Sequence, residues 1–203
     1  MRGGRKRSDM KNILFIGNSH TYFWHMPEEI FAPMAKESGL DCAVLSVTEG
    51  DCPLYRFGDE KDPVGQRLRR AVAGRHFDIV VLQCHCLTPV QQPEKFYDGV
   101  SALRELLTAR AERFILYVPW GRKEGHPDLT VLGMSGGEMT EAIARCNDEA
   151  ARRFGMETAH AGRAFLAYRK SHPEDELYFR DGQHASPLGS RLAARTILDT
   201  VLG

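Results

Sequence analysis

Five short apolar runs punctuate the chain, rich in β-branched and aromatic residues and halted by glycine, proline or a polar turn residue. Ile13 to Ile16 stops at Gly17, and Ala43 to Val47 gives way to the turn Thr48-Glu49-Gly50-Asp51. Asp78 to Leu82 ends at Gln83, Phe114 to Val118 is halted by Pro119, and a weaker fifth run covers Met156 to Ala159. Runs of this length without polar alternation predict strands buried on both faces. Between them the spacing predicts helices over Pro27 to Gly39, Asp62 to Gly74, Pro93 to about Arg110, Glu138 to Phe154, Gly162 to Ser171 and Pro187 to Val201. Phe96, Val100, Leu103, Leu106 and Leu107 share one face of the third of these and belong to the core, whereas Arg67, Arg69 and Arg70 mark a solvated face. Proline suits the first turns at Pro27, Pro93 and Pro187, and Glu28 and Glu29 suit the positive end of the first helix. Alternation of strand and helix with short connections predicts an α/β fold built on a wound parallel sheet. The exception is Trp120 to Gly137, whose six glycines and prolines predict a long irregular segment, a common location for function at strand ends.

A length of 203 residues fits a single domain, expected over 10–203, with 1–9 forming a disordered basic leader that carries Arg2, Arg5, Lys6 and Arg7. Lysine plus arginine and aspartate plus glutamate are both 27, so no overall field favours nucleic acid or an anionic membrane. No stretch approaches the roughly 18 apolar residues of a membrane span, and no apolar signal core of about seven or more residues precedes Gly17. Five cysteines without a secreted framework's spacing favour reduced thiols, and a cytoplasmic location is the expectation. Cys84-His85-Cys86 has a metal-like composition, but ligands at consecutive strand positions point to alternate faces and no matching ligand pair lies elsewhere, so no metal site is expected.

Two stretches carry candidate chemistry. Ser19 follows the sharp turn at Gly17 and Asn18, at the carboxyl end of the first strand, where open α/β sheets collect ligands and free N–H groups receive negative charge. Near the other end, Asp181 and His184 are three apart in a glycine-containing turn before a helix, a spacing that brings side chains within reach. A serine hydroxyl needs an imidazole to take its proton, and the imidazole needs a carboxylate to fix its tautomer; Ser19, His184 and Asp181 supply these parts in an order that recurs among serine hydrolases.

On these residues the chain resembles the SGNH (GDSL-like) hydrolases. Gly17-Asn18-Ser19-His20 is similar to the family's nucleophile block, and Asp181-Gly182-Gln183-His184 to its Asp-x-x-His block. The resemblance spans nearly the whole chain and implies a three-layer α/β/α fold with a flavodoxin-like doubly wound parallel sheet of about five strands. It also implies acyl transfer without a cofactor: Ser19 as nucleophile, His184 as base, Asp181 as its partner, and an oxyanion hole built from the Ser19 and Gly50 N–H groups. The family's Gly-x-Asn-Asp block is replaced here by Leu82-Gln83-Cys84-His85-Cys86. The Gln83 amide is therefore the expected third oxyanion donor, with His85 as its competitor.

Trp120 on the long segment and His85 are candidates to line a substrate pocket, as are Tyr22, Phe23, Trp24 and His25 directly after Ser19, with the core reading favoured for Phe23; Arg122 and Lys123 are candidates to meet an anionic substrate group, although exposed charges ordinarily face water. The expected substrate is a small-molecule ester, with a short acyl group such as acetate on a carbohydrate. Two other readings stay open at this stage: a non-catalytic carbohydrate-binding module, and a metal-dependent hydrolase using His20, His25 and the segment Cys84 to Cys86.

Overall fold

The computed structural model describes residues 10–203, and the basic leader expected over 1–9 lies outside the described residues. The apolar runs form five strands: β1 Lys11–Gly17, β2 Cys42–Thr48, β3 Phe77–Gln83, β4 Ala111–Tyr117 and β5 Glu157–Ala159. All pair in parallel, in the order β2-β1-β3-β4-β5. The order reverses between β1 and β3, and in open sheets of this kind ligands bind outside the strand ends at such a point.

Among the described residues ten α-helical segments accompany the sheet: α1 Ser19–Tyr22, α2 Ala32–Glu37, α3 Leu54–Gly58, α4 Pro63–Val72, α5 Thr88–Gln91, α6 Pro93–Leu107, α7 Pro127–Leu132, α8 Gly136–Phe154, α9 Ala161–Ser171 and α10 Pro187–Leu202. They cover both faces, which explains the unbroken apolar character of the central strands. Leu14 and Ile16 of β1 pack with Phe57, Leu68, Leu103 and Ile143 from α3, α4, α6 and α8. Ile13 and Phe15 point the other way, toward Phe31, Phe165 and Ile197, the last two from α9 and α10. Adjacent residues of one strand thus serve opposite cores, as a period of two requires.

The chain between β1 and β2 departs from the single helix expected over Pro27 to Gly39. After the short α1, Phe23–His25 forms a tight turn in which Trp24 (φ 59°) and His25 (φ 49°) are left-handed, a wide π turn follows over Met26–Phe31, and only then does α2 begin. Left-handed non-glycine residues store strain that surrounding contacts must hold, and such residues gather at functional sites. The segment Trp120 to Gly137, expected to be irregular, contains α7, which starts behind His126 and stops at the left-handed Gly133.

Register sets the rim on which the site forms. Gly17 pairs with Thr48, Ile16 with Leu82, and Gln83 with Tyr117, so β1 to β4 end level with one another. Residues one to three places beyond those ends, Ser19, Gly50 and His85 among them, therefore leave the sheet at the same edge.

Candidate active site

The turn that carries Ser19 is held by buried polar groups. Asn18, 1% exposed, caps α1 by accepting from the His20 N–H at 3.1 Å. Its own N–H donates to Gln83 Oε1 at 2.9 Å, and the buried Thr21 hydroxyl donates to the same oxygen at 2.9 Å. Gly17 makes this closeness feasible, because a Cβ there would sit 2.7 Å from Gln83 Oε1. The Tyr117 hydroxyl adds a bond from β4 to the His20 carbonyl at 3.2 Å.

The stretch after α9 forms a small hairpin, bridged at Tyr178 and Ala185 and turned by Gly182 (φ 70°). Within it Asp181 Oδ1 accepts from the Gln183 and His184 N–H groups, both at 3.0 Å, and Oδ2 meets His184 Nδ1 at 2.7 Å. Burial opposes ionisation of Asp181, but the His184 imidazole and the two N–H groups outweigh it and hold the carboxyl down at about 2. With Nδ1–H donated to a carboxylate, Nε2 is left to accept, and it lies 2.7 Å from Ser19 Oγ. Ser19, His184 and Asp181 are therefore brought together across 165 positions of sequence.

Aromatic packing fixes the imidazole from the side. The Phe23 ring stacks on His184 with centroids 4.4 Å apart and planes 13° from parallel, and Phe179 meets Phe23 edge-on at 5.4 Å. Trp24 Nε1–H donates to the Ala185 carbonyl at 2.9 Å, joining the strained turn to the hairpin that carries His184. Sequence alone favours a core position for Phe23, but the ring is half-buried in the cavity wall, and no local signal reveals that its contact is a ring so distant in sequence.

A cavity of about 460 Å³ opens on this constellation, with Ser19, His20, Gly50, His85, Arg122 and His184 in its wall. Among the described residues no hydrogen-bond partner is found for the N–H of Ser19 or of Gly50. His85 lines the cavity as expected, with Nε2 on Asp51 Oδ1 at 2.9 Å and Nδ1 on Thr88 Oγ1 at 3.2 Å. Burial pulls its imidazole below the ordinary value, against the opposing pull of Asp51.

Two expectations are corrected. The Gln83 side chain does not reach the cavity: it is 0% exposed, its Oε1 receives Asn18 and Thr21, and its Nε2 donates to the Cys84 carbonyl. The amide proposed for the oxyanion is consumed in tying β1 to β3. Trp120 is likewise not a pocket residue, being 1% exposed, stacked on Phe165 at 4.0 Å and donating its Nε1–H to the Gln183 carbonyl at 2.9 Å. A glycine- and proline-rich sequence predicts an exposed loop, but this one folds inward and makes its indole a prop for the hairpin.

The residues of the metal reading do not assemble. Among the described residues no group of three or more His, Cys, Asp or Glu side chains is arranged to hold a metal ion. His25 is exposed, Cys84 receives Asn147 at 3.4 Å, and Cys86 receives Arg122 at 3.0 Å. Burial pushes the Cys84 thiol up to about 12 and raises Cys86 too, which disfavours thiolate ligands. No helix among the described residues is long and apolar enough to cross a membrane.

No family model and no curated protein matches the sequence. Solved structures do match. A candidate SGNH hydrolase from Slackia heliotrinireducens is 30% identical, aligned over 95% of this chain and 100% of the other, with a TM-score of 0.80. A DUF4886 family protein from Bacteroides uniformis is 18% identical over 95% of this chain and 83% of its own, with a TM-score of 0.77. An acetyl xylan esterase aligns over 94% of this chain and 99% of its own at 18% identity and a TM-score of 0.66. The last two carry the fold alone, whereas the first carries the family: the chain belongs to the SGNH hydrolases.

Proposed function

We propose that the protein is a serine esterase that removes a short acyl group, such as acetate, from a carbohydrate or another small polar alcohol. The observation that carries this reading is the unbroken relay Asp181 Oδ2, His184 Nδ1, His184 Nε2, Ser19 Oγ, with 2.7 Å at each hydrogen bond. In the proposed reaction His184 Nε2 takes the Ser19 proton as Oγ attacks the ester carbonyl. The developing oxyanion is received by the Ser19 and Gly50 N–H groups. His184 then protonates the leaving alcohol, and water repeats the sequence on the acyl-enzyme. Asp181 remains ionised and steadies the imidazolium throughout, as its low pKa allows.

Two donors in place of three imply modest rates, since one oxyanion donor is worth on the order of 10²-fold. The cavity volume lies toward the small end of ligand sites, and its wall of histidine, arginine, asparagine and glutamine supports a polar alcohol better than a long alkyl chain. The test is labelling by a phosphonofluoridate: attachment to Ser19, abolished by Ser19→Ala and indifferent to EDTA, supports the reading, and an unlabelled wild type refutes it. Equal release of p-nitrophenol from acetyl and decanoyl esters would refute the short-acyl preference.

A further inference from the structure

The cavity wall holds polar groups that acyl transfer as proposed above leaves unused. Arg122 lines the cavity and is only 5% exposed. Its Nε donates to Asp128 Oδ2 at 2.8 Å, and its Nη1 approaches Cys86 Sγ at 3.0 Å. Burial raises the pKa of Cys86, so this partner is a neutral thiol, a weak acceptor. For Nη2 no partner is found among the described residues. Of a guanidinium's donors, then, only the Nε–H meets a strong acceptor.

His20 is the second unused group. It is 7% exposed, lines the same cavity, and both ring nitrogens are buried with no hydrogen-bond partner among the described residues. Burial first, then the neighbouring His184 and Arg122, keep its pKa well below the usual imidazole value, so it offers one N–H donor in its neutral form. Buried donors left unmade are costly, and a ligand that pairs with them recovers that cost.

Resting on the esterase reading, we propose that Arg122 and His20 form an anion subsite and that the ester substrate carries a carboxylate which this subsite receives. A carboxylate offers two acceptor oxygens to a planar donor fork, where a hydroxyl offers one atom. The surrounding charges permit it. Arg122 is the one arginine or lysine among the described residues of the cavity wall, and Asp128 pairs with its Nε alone, which leaves Nη2 without a charged partner among the described residues. Asp51, the acidic residue in the wall, is held by His85 and has a side chain 94% exposed, where solvent screens it. The carboxylate can belong to the acyl part, as in a half-ester of a dicarboxylic acid, or to the alcohol, as in an O-acetylated sugar acid.

Two pairs of substrates separate these sources. The acyl arm compares 4-nitrophenyl hydrogen succinate with its methyl ester, and the alcohol arm compares O-acetylglycolate with O-acetylglycolamide. In at least one arm kcat/KM should favour the anion by on the order of 10²-fold, and Arg122→Gln should bring that ratio to about one. A wild-type ratio near one in both arms overturns the proposal without any variant. So does a high ratio that survives Arg122→Gln in a protein whose circular dichroism matches wild type. If no ester turns over and Ser19 resists labelling, the esterase reading has failed separately. Calorimetric titration of the wild type with monomethyl and dimethyl succinate then reads the subsite directly: preference for the monoanion supports it, and equal or undetectable binding overturns it.

Discussion

Replacing Gln83 by methionine separates a structural tie from a catalytic donor. The substitution preserves length and nearly preserves volume at a site with 0% exposure, so cavity formation contributes little. It strands the Asn18 N–H and the Thr21 hydroxyl, which both donate to Gln83 Oε1 at 2.9 Å. A buried donor left without an acceptor costs about 1–3 kcal/mol, so two of them sum to about 2–6 kcal/mol. For a chain of this length each kcal/mol moves the melting temperature by about 2–4 °C, giving an expected fall of roughly 4–24 °C. Thermal unfolding followed by far-ultraviolet circular dichroism measures it, alongside steady-state hydrolysis of p-nitrophenyl acetate well below both melting points. A Gln83→Met protein that melts within about 2 °C of wild type yet loses on the order of 10²-fold in kcat would mean that the amide is free to donate to an oxyanion, and the buried tie would be wrong.

Further expectations follow from the same contacts. Asp181→Asn keeps the shape of the turn but removes the anion that fixes the His184 tautomer, and kcat for p-nitrophenyl acetate should drop by about 10⁴-fold; a loss under tenfold would remove Asp181 from the relay. Phe23→Leu deletes the ring stacked on His184 and should lower kcat by about tenfold, with KM changing less, in a steady-state comparison, because misplacing a catalytic group by a fraction of an ångström is costly. His20 is predicted to make the fold acid-sensitive. Its folded pKa lies below the ordinary 6.5, so as pH falls beneath that value the unfolded chain takes up a proton that the folded one refuses, and stability declines. His20→Phe should flatten the melting temperature between pH 7 and pH 5 relative to wild type, and parallel profiles would contradict the assignment.

The apolar runs needed no tertiary information to be read as strands, because a parallel sheet covered on both faces demands short, largely apolar segments, and glycine, proline or a polar residue stops each one. The residues that meet at the rim were legible for a similar reason: Ser19 directly after a strand-ending turn, and Asp181 three residues before His184, are local patterns. The path from Phe23 to Phe31 was not legible. Left-handed Trp24 and His25 contradict local propensity and persist through contacts such as the Trp24 bond to Ala185, 161 positions away.

What the sequence determined by itself, then, is the five strands, the longer helices, their winding and the identity of the three side chains that converge on the rim. Tertiary structure decided which polar groups remain free to act. Gln83 and Trp120 carry suitable donors, but the Gln83 amide is spent on the neighbouring Cys84 carbonyl and the Trp120 indole on the Gln183 carbonyl, while Arg122 and His20 keep donors unspent in the cavity wall. Local pattern fixes where the backbone runs because strand and helix periods are short-range. Whether a side chain's hydrogen bonds are already satisfied depends on neighbours that only the folded chain supplies.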